Sequence, residues 1–127
     1  MNRKVYYYLA SLLCLISLNV YAEYKTTGEM TKEEYQKVRE ASAEYNDCVN
    51  EFAMSKLEQQ TDARVIADHA MKECAPVLEE LYSFLLVGNY DPEPTKQFVS
   101  SISNRTANKL LSNLMVYMAM QKQEPQQ

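Results

Sequence analysis

Thiols, one imidazole and a run of thioethers are the side chains of this chain whose types and spacing suggest chemistry. The thiols are Cys14, Cys48 and Cys74. As thiolates they would be nucleophiles or soft metal ligands, and as a pair they would form a bridge. The imidazole, His69, stands four residues before Glu73, so on a helix the two share a face, as a pair of metal ligands would. Two ligands do not make a site, and the sequence offers no third, so a solvated surface pair is the better reading. The thioethers are Met115, Met118 and Met120. Such ligands favour Cu(I), which makes copper handling at this Met cluster the alternative function. The competing account is packing, since Met115 and Met118 fall on or beside the apolar stripe of the last helix. No acid, base and nucleophile converge in the pattern, so the chain reads as non-enzymatic and without a cofactor. Two glycines in 127 residues leave no phosphate-cradling loop and no dinucleotide fingerprint.

Which thiols can pair depends on where the chain goes. Asn2-Arg3-Lys4 begins it with positive charge, Val5 to Leu18 is mostly apolar, and Val20-Tyr21-Ala22 supplies a peptidase site. An apolar run of that length is short for roughly 30 Å of hydrocarbon, so residues 1–22 read as a cleavable signal peptide. Cys14 is no lipidation site, because Leu13 stands where a small residue is required. The mature chain, residues 23–127, loses Arg3 and Lys4 but no acid, moving the net charge from −4 to −6. It also loses Cys14. An even pair in an exported, periplasmic or secreted chain points to a disulfide between Cys48 and Cys74.

The elements that must position this pair are helices. Apolar residues recur at spacings of three and four, which predicts an all-α domain, an antiparallel bundle of three long helices with an ordered core over about 31–121. Thr31 and Glu34 form a capping box ahead of Tyr35, Val38, Ser42, Tyr45, Val49 and Phe52, a first helix over 31–59. Asp62 caps a second, whose stripe is Ile66, Ala70, Cys74, Val77, Leu81 and Leu85 and which stops at Gly88-Asn89. Pro76 predicts a kink in it, or a split into 62–74 and 76–87. Asp91-Pro92-Glu93-Pro94 reads as a loop, with Thr95 capping a third helix through Phe98, Val99, Ile102, Thr106, Leu110, Leu114 and Met118. Thr61 lies midway between Cys48 and Cys74. Each cysteine therefore sits thirteen residues, about 20 Å, along its own arm of a hairpin, and the two meet at one level.

The pattern Tyr45-x-x-Cys48, Asp62, Ile66-Ala67-x-x-Ala70-x-x-x-Cys74 and Leu78-x-x-Leu81-x-x-x-Leu85 resembles that of small exported helical-hairpin proteins of Gram-negative bacteria. The resemblance spans residues 45–87; it implies a disulfide-linked hairpin and carries no functional residue. A docking role is suggested by Leu81-Tyr82-Ser83-Phe84-Leu85-Leu86-Val87, apolar nearly all the way round its helix. Leu81, Tyr82, Phe84, Leu85 and Leu86 are the candidate partner-binding residues, covered by a second subunit or another protein. Residues 23–94 carry seven bases against sixteen acids, and residues 95–127 four bases against one acid. An acidic hairpin of this kind excludes a general nucleic-acid binder, favours electrostatic attraction to the last helix and, where it takes part in recognition, suits a basic protein partner. The expectation is a small periplasmic or secreted accessory protein working through protein contacts, with no stable membrane insertion after signal cleavage.

Overall fold

The structure is a computed structural model that describes residues 23–123. Residues 1–22, on which the expectation of a signal peptide falls, and residues 124–127 lie outside the described residues. After a single 3₁₀ turn at Thr27–Glu29 come four α-helices: α1 Lys32–Lys56, α2 Ala63–Glu73, α3 Ala75–Val87 and α4 Pro92–Gln121. The fold among the described residues is all-α, but with four helices where three were expected. The middle arm divides at Cys74, whose backbone sits at φ −92°, ψ 0°. Pro76 occupies the first turn of α3, where a missing amide costs no helical hydrogen bond, whereas inside one continuous helix it would leave the Lys72 carbonyl unpaired. Cys74 closes α2 by donating to the Ala70 carbonyl at 3.1 Å, and its own carbonyl accepts from Val77 at 3.2 Å.

Both hairpin caps form as the sequence implies. The Glu34 amide donates to Thr31 Oγ1 at 3.1 Å while the Thr31 amide donates to Glu34 Oε2 at 2.8 Å. Asp62 Oδ1 accepts from the amides of Arg64 and Val65. Two other boundaries differ from expectation. Thr95 is not a cap but is buried inside α4, which begins at Pro92 with Asp91 as its cap, Oδ1 accepting from Glu93. Pro92 and Pro94 fall at positions whose amides have no partner inside a helix, so the proline-rich segment starts the helix instead of forming a loop. At the end of α3, Gly88 has an ordinary φ of −71°, and Asn89 adopts the left-handed conformation at φ 66°. Tyr90 then donates to the Leu85 carbonyl and Asn89 to that of Leu86, a Schellman closure with buried Tyr90 packed over the helix end.

The core runs along one face of every helix. Val38, Ala41, Tyr45, Val49 and Ala53 of α1 meet Ile66, Ala67, Ala70 and Cys74, then Leu78, Leu81 and Leu85, with Val99, Ile102, Leu110 and Leu114 of α4 across them. Tyr35, placed on the apolar stripe by spacing, is 58% exposed, because the buried face of α1 begins one turn later at Val38. The α1–α2 hairpin is joined by the Cys48–Cys74 disulfide, Cα–Cα 6.0 Å. Helix α4 packs against all three others. The segment before α1 is clipped to the α3–α4 turn. The Lys25 amide donates to the Asn89 carbonyl at 2.9 Å, and Asn89 Nδ2 donates to the Glu23 carbonyl at 3.1 Å.

Candidate binding groove between the third and fourth helices

Beyond the division at Cys74 the described residues form an apolar groove between α3 and α4. Beyond the break, α3 presents Ala75, Leu78, Glu79, Tyr82 and Ser83 along one side, at helical spacings of three and four. Helix α4 presents Lys96, Val99, Ser100 and Ser103 along the other. Met71 and Lys72, from the last turn of α2, close one end, and Tyr45 of α1 forms part of the floor. The enclosed volume is about 600 Å³, within the range of ligand clefts. Leu78 and Val99 are core residues whose edges reach this surface. Tyr45, itself buried, shares a hydrogen bond of 3.2 Å with Ser103, so the floor carries a fixed polar pair in an otherwise apolar setting. Lys72, Glu79 and Lys96 stand at the rim, and none of them forms an ion pair among the described residues, where Lys25–Glu34 is the only one. The Cys48–Cys74 disulfide ties the α2–α3 corner to α1.

A second cleft of similar size, about 640 Å³, lies between α1 and Phe84, but Phe84 is its only apolar lining residue beside Lys32, Glu33, Glu34, Gln36, Lys37 and Glu40. Its walls are mainly long charged side chains rather than core residues.

The candidate docking residues separate. Leu81 and Leu85 are 1% exposed and belong to the core, so no partner can reach them. Tyr82 lines the groove, Phe84 faces the α1 cleft, and Leu86 is exposed beside Val87, which is 89% exposed. The heptapeptide is apolar all round because α1 and α4 cover one side of it and only its outer positions remain free. The Met cluster does not converge. Met115 and Met118 line a cleft with Thr61, Asp62, Ala63 and Lys122, and Met120 does not. At 100° per residue, Met118 and Met120 are about 200° apart around α4. His69 lines a small cleft with Lys56, Gln59, Gln60, Val65 and Ile66, and Glu73 is absent from it. Among the described residues no group of three or more His, Cys, Asp and Glu side chains is placed to hold a metal.

Met71, Lys72, Ala75, Leu78, Glu79 and Val99 were not anticipated as site residues. The available signal was Pro76 next to two stripes, 75-78-79-82 and 96-99-100-103, each spaced for one helix face. The split at Pro76 is foreseeable from the sequence, but the side to which the arm bends, and so which two stripes face each other, is not.

The strongest electrostatic perturbation lies away from the groove, at the N-terminal clasp. Glu34 accepts from the Thr31 amide and from the Tyr90 hydroxyl at 2.7 Å, and Lys25 Nζ stands 3.4 Å from its other oxygen. These donors hold its carboxyl at about 2, the Thr31 amide contributing most. Burial, then the bond to Glu34 and its charge, push Tyr90 up to about 12.

Comparison of the chain with known protein families, with characterised proteins and with solved structures returned no match.

Proposed function

We propose that this chain is an exported, non-enzymatic binding or accessory protein of the periplasm or cell exterior, and that it docks a protein partner in the groove between α3 and α4. The observation that carries the reading is the groove itself: an apolar floor with one fixed polar pair, unpaired charges at the rim, and a covalently pinned corner at one end. Pre-organised walls reduce the entropy lost on docking, which is how a small protein gains affinity from a modest surface. The disulfide accords with an oxidising compartment, and no described helix is long and apolar enough to cross a membrane.

The test is site-directed photocrosslinking in the exporting host, with the reactive group at exposed Ser100 on the α4 wall or at exposed Glu51 on α1. A single defined protein captured in stoichiometric amount from position 100, absent from position 51 and lost when Tyr82→Glu alters the opposite wall, is the expected result. Equal capture from both positions, or capture insensitive to Tyr82→Glu, would remove the groove from the function.

A further inference from the structure

Resting on that reading, we infer that the occupant of the α3–α4 groove is an amphipathic helix of the partner, two to three turns long, carrying carboxylates at both ends of its apolar ridge. The first part follows from backbone hydrogen bonding. Helices wall the groove, and their amides and carbonyls are already used within the helices, so the walls offer an incoming backbone no sheet edge to pair with. An extended segment pressed onto Leu78, Tyr82 and Val99 would bury unpaired peptide groups. A helix satisfies its own and offers side chains alone, which is what this surface can receive.

Length and charge narrow the occupant. From Ala75 to Ser83 the α3 wall spans nine residues, about 12 Å over eight steps, which matches apolar anchors at i, i+4 and i+7 of a visiting helix. Lys72 closes the groove at the α2–α3 corner, whereas Lys96 lies on the first turns of α4, towards the turn that joins it to α3. The two ammonium groups thus mark opposite ends. Neither has a carboxylate partner within the protein among the described residues, although residues 23–94 carry sixteen acids. Acidic residues one turn outside the apolar ridge would meet both. Glu79 lies between them on the α3 wall and disfavours an acid in the middle of the ridge.

The probes are three capped 16-residue alanine-based peptides with Leu at positions 5, 9 and 12. One carries Glu in its first and last turns, the second Lys at the same places, and the third is the Glu peptide with a central Pro. Binding to the processed protein is followed by amide chemical shifts. The Glu peptide should perturb the amides of Leu78, Tyr82, Val99 and Ser103 and bind at least tenfold more tightly than the Lys peptide, and the Pro peptide should show no saturation. In Lys72→Glu/Lys96→Glu the preference should invert, while the chemical shifts away from the groove certify an intact fold. Equal affinity for the charged pair, undiminished binding of the Pro peptide, or shifts mapping to another face would each overturn the inference. So would tight binding of laurate in place of all three, which would identify a site for a small anionic amphiphile. Crosslinking from position 100 to a partner segment that is extended, or that lacks acids at its ends, would leave the docking reading standing and overturn this one.

Discussion

Tyr90 and Glu34 show how a single contact ties distant parts of the chain and gives it a pH signature. Glu34 has a folded value of about 2 against 4.5 for the free side chain. Its contribution is therefore complete above about 4.5 and is lost as pH falls from there towards 2. Tyr90 runs the other way: raised from 10 to about 12, it contributes below 10 and loses that contribution as pH rises to 12. Glu34→Gln should accordingly flatten the acid limb of a stability–pH curve below pH 4.5. If urea midpoints of the variant and the parent fall in parallel between pH 4.5 and 2.5, Glu34 does not carry the effect. Tyr90→Phe removes a hydrogen bond to a charged acceptor and should cost about 1.5 to 3 kcal/mol at neutral pH, measured by the same titration. The Thr31 bond to Glu34 was legible as a capping box, but the Tyr90 contact was not, because Glu34 and Tyr90 are 56 positions apart and no spacing rule relates them. Gly88 is a related case. It reads as a helix stop, yet its φ is ordinary and it is small because a Cβ would meet the Tyr90 ring at 3.1 Å and the Leu85 carbonyl at 3.2 Å. Gly88→Ala should destabilise by about 1 kcal/mol, and by less when combined with Tyr90→Leu, since the smaller side chain can yield.

At the scale of elements, local signals located most helix starts and apolar faces, and failed where a proline has two possible uses. Thr31, Asp62, the stripe from Val38 to Val49 and that from Ile66 to Cys74 were legible because caps and periodicity act within a few residues. Pro92 and Pro94 were read as helix breakers, yet at the first and third helical positions their missing amides cost nothing, and Asp91 completes the start. Asp91→Ala should therefore lower stability by about 0.5 to 2 kcal/mol and fray α4 from its first turn, seen as faster amide exchange at Lys96 and Gln97. Pro76 poses the converse question, whether the proline or the packing holds the division at Cys74. Restoring an amide in Pro76→Ala regains one hydrogen bond, about 1 kcal/mol. Realigning α3 with α2 would disturb the burial of Leu78, Leu81 and Leu85, each worth roughly 1.5 to 3 kcal/mol. Packing wins, and Pro76→Ala should keep four helices and the groove. Continuous helical nuclear Overhauser contacts from residue 70 to residue 80 would show the reverse.

For the molecule as a whole, the charge division evident in the sequence has no counterpart in ion pairing. The basic residues of α4 form no ion pair among the described residues, and the helix is held by Val99, Ile102, Leu110 and Leu114. The covalent link joins α1 to the α2–α3 corner and does not involve α4. The site that it supports was only partly legible, through Tyr82, because the groove exists between elements and depends on a bend whose direction no single stripe encodes. The link itself was legible in full: count, compartment and equal distance from Thr61 led to one pairing, and Cys48–Cys74 is that pairing. Its consequence can be measured. The bridge spans 26 positions, and closing a loop of that size removes unfolded-state entropy equivalent to about 3 to 4 kcal/mol in the chain-entropy model. Small domains have about 5 to 15 kcal/mol in total, so the loss is a large fraction. Cys48→Ala/Cys74→Ala should remain helical in far-ultraviolet circular dichroism at 25 °C, because the core face of α1 and α2 is intact without it. Its unfolding free energy in urea should nonetheless fall by about 3 to 4 kcal/mol, with reductant having the same effect on the parent protein and none on the variant. A fall below about 1 kcal/mol would mean that the turn at 57–62 and the apolar seam already confine the unfolded hairpin, and that the bridge serves chiefly to fix the corner behind the groove.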